Sequence, residues 1–149
     1  MDVRELYQST ILDHNKRPRN FRVPPAANRE ARGHNPLCGD QITVYLEVED
    51  GAVKDVGFQG SGCAISKASA SLMTEAVKGK PLPEVEALFA RFHALLTGDP
   101  ATPGQAEDLG KLAVFSGVRE YPVRVKCATL PWHTVRAAAH GDAVTVKTE

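Results

Sequence analysis

The sequence predicts a mixed fold in which one antiparallel β-hairpin is set among about five helices. Two patterns carry that reading. From Ile42 to Phe58 apolar residues tend to alternate with polar ones, and the alternation turns back at Asp50-Gly51; on either side of that stretch the apolar residues recur at the three-to-four spacing of helices. The 149 residues suffice for one domain, 1–149, whose core buries roughly two thirds of the unfolded surface.

The elements follow in order. Val3, Leu6, Tyr7, Thr10 and Ile11 form the stripe of a short amphipathic helix from Val3 to His14, ended by Asn15-Lys16-Arg17-Pro18. Residues 17–36, rich in proline, arginine and asparagine, show neither period and read as a surface connection. Ile42, Val44, Leu46 and Val48 alternate with Thr43, Tyr45, Glu47 and Glu49, and Val53, Val56 and Phe58 mark the return strand. Asp50-Gly51 tolerates the positive φ angles of the tight turn between them. This hairpin is expected to hold Asp40 and Cys63 near opposite edges of one rigid unit.

A helical stripe of Ile65, Ala68, Ser69, Leu72, Met73 and Ala76 comes next, closed by Gly79 and Pro81. Its small residues between Ala64 and Ser71 allow close approach to a neighbouring backbone. Val85, Leu88, Phe89, Phe92 and Leu96 form another stripe, ended by Gly98; Asp99 to Gly104 reads as a loop, and Leu109 to Phe115 as a short helix ending near Gly117. The last helix is expected to start after Cys127, with Pro131 in its first turn, and to run to Gly141.

Charge and composition exclude several classes. Lys+Arg and Asp+Glu both total 18, and no basic run is interleaved with aromatics, so no nucleic-acid partner is indicated. The charged start, Met1-Asp2-Val3-Arg4-Glu5, leads into no apolar signal region, and no run is long enough to cross a bilayer, so a cytoplasmic protein without a membrane partner is expected. Three cysteines, an odd number, argue against a disulfide framework and toward metal or sulfur chemistry.

Those three are Cys38, Cys63 and Cys127, and Cys38 is separated from Asp40 by glycine alone. Gly39 lets both side chains bend toward one point, after the turn formers Asn35-Pro36. Cys63 and Cys127 are both placed at helix N-termini, where unpaired N–H groups favour a thiolate; Arg124 and Lys126 beside Cys127 act in the same sense. Three sulfurs and one oxygen make four candidate ligands, a set that suits zinc with the carboxylate as its weakest member. No CxxC pair supports this, and the alternative is three small buried hydrophobes. His14, His34, His93, His133 and His140 are left outside the ligand set. Tyr7 fits either core or an interface.

Leu6-Tyr7, Ile11-Leu12-Asp13-His14, Pro18-Arg19-Asn20, Asn35-Pro36-Leu37-Cys38-Gly39-Asp40, Phe58-Gln59-Gly60-Ser61-Gly62-Cys63-Ala64-Ile65-Ser66 and Val125-Lys126-Cys127-Ala128-Thr129-Leu130 together resemble the U-type iron-sulfur cluster assembly proteins, from about Leu6 to Gly141. The resemblance implies an α+β domain, a small antiparallel sheet carrying its helices on one face, with Cys38, Asp40, Cys63 and Cys127 converging as metal ligands. Two branches differ in work. The scaffold (IscU) branch has histidine where this chain has Lys126, and a shorter segment before the third cysteine. The stretch from Asp99 to Gly110 looks like the insertion of the SufU branch, which resembles a zinc-containing sulfur acceptor.

The favoured expectation is therefore a sulfurtransferase-type carrier. Zinc is its cofactor, and it accepts persulfide sulfur at Cys38, with Cys127 the alternative acceptor, from a pyridoxal-phosphate-dependent cysteine desulfurase. Arg124 and Lys126 are expected to dock the partner or stabilise a thiolate. The alternative is a non-enzymatic scaffold that assembles a 2Fe-2S cluster, or holds iron, on the same thiols for recipient apo-proteins or a scaffold complex. A purely structural zinc adaptor is the third possibility.

Overall fold

The computed structural model describes residues 3–97, 107–141 and 145–147. The loop expected at Asp99–Gly104, most of the Asp99–Gly110 insertion, the helix stop at Gly98 and the surroundings of Tyr7 lie outside the described residues.

The hairpin is strand β2 (Asp40–Glu49) against strand β3 (Ala52–Ser61), with Val44 opposite Phe58 and Leu46 opposite Val56. Asp50 and Gly51 both take positive φ, 54° and 75°, the turn whose twist matches that of the flanking strands. Ile42, Val44, Leu46, Val53, Val56 and Phe58 are buried on one face.

The stretch read as a surface connection contains a third strand, β1 (Arg29–Asn35), antiparallel to β2 from Arg29–Leu46 to Asn35–Asp40. Its buried positions are Ala31, Gly33 and Asn35, two small residues and a polar one, so its period of two carries almost no hydrophobic signal. Close packing explains the choice: a Cβ on Gly33 would lie 2.2 Å from Thr134 Oγ1 and 3.0 Å from Leu130 Cδ1. A short strand, β4 (Thr145–Lys147), adds parallel to β1, giving a four-stranded sheet in the order β3-β2-β1-β4.

Helix α1 (Val3–Lys16) packs on helix α2 (Ala64–Val77), which is followed by helix α3 (Leu82–Thr97). The segment Glu107–Glu120 winds as 3-10 turns interrupted at Gly110, longer than the short helix expected there. It buries Leu109, Leu112, Val114, Phe115 and Val118.

Helix α4 spans Pro122–Ala139, so the expected start after Cys127 is wrong. Pro122, in the first turn, is the start signal; Pro131 lies inside the helix, where it cannot donate to the carbonyl of Cys127 four residues earlier. The helices cover the buried face of the sheet, with α4 over β1 and β2 and α2 beside β3. As the small-residue run on α2 suggested, the helix backbones come close: the Ser69 hydroxyl donates to the Ala128 carbonyl at 2.5 Å, both residues buried.

A polar seam joins α1 to α2. Ser71 Oγ accepts from the Arg19 N–H at 2.8 Å and lies 2.7 Å from Nδ1 of buried His14, and Asn20 Nδ2 donates to Thr74 Oγ1 at 3.0 Å. Burial, with the Arg19 cation adding to it, holds His14 below the ordinary imidazole range. His133 is lowered too, by burial first. The unfolded chain therefore binds protons that the fold refuses, and stability falls as pH drops through about 6.5. Denaturant midpoints measured between about pH 7.5 and 5.5 should fall with acid, and His14→Gln should make the slope shallower; an unchanged slope would remove His14 as a cause.

Candidate metal centre

The site forms where the ends of β1, β2, β3 and α2 meet the body of α4. Asn35 and Asp40 pair at the last rung of the β1–β2 ladder, and residues 36–39 make the turn that carries Cys38. Asn35 Oδ1 accepts from the Leu37 N–H at 3.1 Å, and Gly39 has φ +70°. Leu37 and Gly39 are exposed and Cys38 is partly so.

Asp40 is fully buried. Gln41 pairs with Ser61, which sets Asp40 beside Cys63 at one end of the hairpin, correcting the expectation that they stand at opposite edges. Asp40 Oδ1 accepts from the Cys63 N–H at 2.8 Å, and the Cys63 thiol lies 3.7 Å from Oδ2. Cys63 caps α2, its sulfur accepting from the Ser66 N–H at 3.4 Å, as its place before the helix predicted.

Cys127 comes from inside α4, not from a helix N-terminus. Its sulfur is 3.0 Å from Cys38 Sγ and 3.7 Å from the Asn35 amide nitrogen. Burial, the Cys38 thiol and the charges around Cys63 and Asp40 push the Cys127 thiol far above its ordinary pKa. The expectation that Cys127 stands at a helix N-terminus is corrected, since α4 begins at Pro122 and Cys127 is buried within it. Arg124 is exposed one turn before Cys127, and Lys126 is half-buried.

One ligand atom each from Cys38, Asp40 and Cys127 lies within 4.8 Å of the others, and Cys63 adjoins this group through Asp40. The donor set fits a divalent cation. Three thiolates and a carboxylate so close together repel one another without one, and burial with these neighbours raises the Cys127 thiol. Three sulfurs with one oxygen suit borderline-soft zinc or iron better than magnesium or calcium.

The histidines stay apart. On β1 the alternation of side chains puts His34 on the face away from Asn35. His133 packs edge-on against Phe89 with ring centroids 5.1 Å apart. Asn35 is the site residue that sequence reasoning missed: Asn-Pro signals a turn, which it makes, but its contact with Cys127 spans 92 positions and has no local signature.

Such a group of thiols and a carboxylate, at the end of a small α+β sheet, defines a candidate metal-binding domain. Residues 6–128 match the model of the NifU-like N-terminal domain. The chain is 39% identical over 139 residues to the iron-sulfur cluster assembly scaffold protein IscU of Thermotoga maritima, covering 93% of this chain and 95% of that one. It is 39% identical over 127 residues to the zinc-dependent sulfurtransferase SufU of Bacillus subtilis, covering 85% and 84%. A crystal structure of a candidate iron-sulfur cluster assembly scaffold protein for the SUF system from Fervidobacterium islandicum superposes with a TM-score of 0.81 at 32% identity, over 93% of this chain and 99% of that one. The chain belongs to the NifU-like N-terminal domain family, that of the IscU and SufU iron-sulfur cluster assembly proteins.

Gly62 tests the geometry. A Cβ there would stand 2.5 Å from Asp40 Oδ1, so Gly62→Ala must displace the carboxylate. Affinity for divalent zinc, measured by chelator competition, should fall about 10- to 100-fold, as when a partner orienting a ligand is lost, and the unfolding midpoint should fall with it, because the displaced oxygen also accepts the Cys63 N–H. Undiminished affinity would mean that Asp40 does not contribute.

Proposed function

We propose that this chain is a zinc-dependent sulfur acceptor in iron-sulfur cluster biogenesis, taking persulfide sulfur from a pyridoxal-phosphate-dependent cysteine desulfurase at Cys38. The observation that carries this is the unequal setting of the thiols: Cys38 is partly exposed on a turn between exposed neighbours, while Cys127 is fully buried behind it. Lys126, where the scaffold branch carries histidine, and the likeness to the B. subtilis zinc-dependent sulfurtransferase support the same reading. The ligands are Cys38, Asp40, Cys63 and Cys127. Zinc there supplies the charge that keeps buried thiols deprotonated.

The Cys38 thiolate attacks the outer sulfur of the enzyme persulfide. The S–S bond of that persulfide breaks as a new one forms at Cys38, and the desulfurase cysteine leaves as its thiolate, with no net oxidation or reduction. Exposed Leu37, Tyr121, Val123 and Arg124 surround the turn or lead into Cys127, and form the surface on which the desulfurase docks. The sulfur then passes to a scaffold complex or recipient protein.

The likeness to the T. maritima IscU, over nearly its whole length, favours a second reading, a scaffold that assembles a 2Fe-2S cluster on the same thiols. Protein purified anaerobically should contain about one zinc per chain and little sulfide; near-stoichiometric iron and sulfide would establish the scaffold instead. With a desulfurase supplied, Cys38→Ala should abolish persulfide formation while keeping the fold, because the turn contributes nothing to the apolar core. Persulfide appearing on Cys127 in that variant would make Cys127 the acceptor.

Asp40→Cys separates a reactive site from a structural one. A fourth thiolate is the softer donor, so zinc should resist chelators longer, while Cys38, now held in a closed all-thiolate set, should accept sulfur more slowly. Both are read on one preparation. Tighter zinc with unchanged acceptance would show that Cys38 reacts without leaving the ligand set.

A further inference from the structure

Asn35 is a fully buried polar side chain at the point where β1 hands over to the turn that carries Cys38. Side chains alternate along this strand, and the buried set is Ala31, Gly33 and Asn35, on the face that α4 covers. Asn35 is the last of the three, so its amide reaches both the turn and Cys127, 92 positions further along the chain.

The two ends of that amide make different contacts. The Leu37 N–H can only donate, so the atom that meets it at 3.1 Å is the amide oxygen, and the NH2 group is turned to the Cys127 sulfur at 3.7 Å. Sulfur is larger than oxygen, so an N–H donor stands further from it than the ~2.9 Å of an N–H···O bond. Cys127 Sγ lies in turn 3.0 Å from Cys38 Sγ, which closes a ring of contacts from Asn35 through both sulfurs and back along the turn.

Asparagine suits this place better than its nearest relatives. Asn35 stands opposite Asp40 on the ladder, so an aspartate would set two carboxylates face to face and offer the sulfur no donor. Alanine would leave the Leu37 N–H and the sulfur without their partner. An amide N–H draws charge from the sulfur it meets, which strengthens with ionisation of that sulfur, favours its place as a metal ligand and makes it a weaker nucleophile.

We propose that Asn35 is a positioning residue of the metal centre: its amide N–H keeps the Cys127 sulfur in the ligand set, so that Cys38 is the thiol that leaves to accept sulfur. The bond to Cys127 stands on the geometry alone, whereas the selection of Cys38 rests on the sulfur-acceptor function proposed above.

The bond is read without a desulfurase. In wild-type protein loaded with NMR-active cadmium, a soft cation that takes the same thiolates, a side-chain amide proton of Asn35 should show scalar coupling to the metal, carried through the N–H···S contact. Asn35→Ser keeps an acceptor for the Leu37 N–H on a side chain too short to reach Cys127. Loaded with cobalt(II), this variant should show its thiolate-to-metal charge-transfer band at longer wavelength than wild type, because the sulfur regains electron density, and its zinc affinity should fall about tenfold. Asn28→Ser, which removes an amide from an exposed contact with Val48, should leave band and affinity unchanged. No coupling to Asn35, or a cobalt band at the wild-type wavelength in Asn35→Ser, would overturn the bond; if Asn35→Ser does not fold, the coupling in wild type decides. With a desulfurase supplied, part of the persulfide should move to Cys127 in Asn35→Ser. Persulfide confined to Cys38 in a variant whose band has moved would overturn the selection of Cys38 by Asn35. Wild-type protein that accepts no sulfur at Cys38 would overturn the sulfur-acceptor function and leave the cadmium and cobalt results standing.

Discussion

The Asp40 carboxylate joins the sheet to the helices at the point where the chemistry lies. Oδ1 accepts the N–H of Cys63, tying the first residue of β2 to the cap of α2, and Oδ2 faces the Cys63 thiol. A hydrogen bond to a buried charged acceptor contributes about 2 kcal/mol and costs more if broken, so this contact fixes both the hairpin end and the helix start. Gly62 has no side chain because the carboxylate occupies the space one would need. The same oxygens that hold the fold are thus the ones offered to a cation.

Close packing of α4 supplies the rest of the geometry. Gly33 lets α4 settle on β1, and the Ser69–Ala128 hydrogen bond draws α2 against it. Together they drive Cys127 beneath the Cys38 turn, out of contact with water. Burial sets its character, since a thiol in that position holds its proton unless a positive charge replaces it.

The two faces of α4 have different surroundings. One face brings Cys127 against Cys38 at the strand ends; on another, His133 packs edge-on against Phe89 of α3. Trp132, fully buried, stacks on Phe92 with ring centroids 4.8 Å apart and so packs α4 against α3.

Some of this was legible in the sequence. The β2–β3 hairpin, the cap at Cys63 and the pairing of Cys38 with Asp40 depend on neighbours a few positions apart, and alternation, turn chemistry and helix-start rules report such neighbours directly. Strand β1 was not legible, because its buried residues, Ala31, Gly33 and Asn35, are small or polar for the sake of α4, a partner nearly a hundred positions away. The place of Cys127 was misread for a related reason: Pro131 resembles a start signal, but packing against the sheet holds the helix together past it from Pro122. What the sequence determined by itself was the family pattern and the candidates for metal or sulfur chemistry, three thiols and a carboxylate. Only the tertiary structure decided that Asp40 and Cys63 touch, that Cys127 is buried and Cys38 reachable, and that Asn35 contacts a thiol, since burial and contact between distant segments arise from packing that no local pattern encodes.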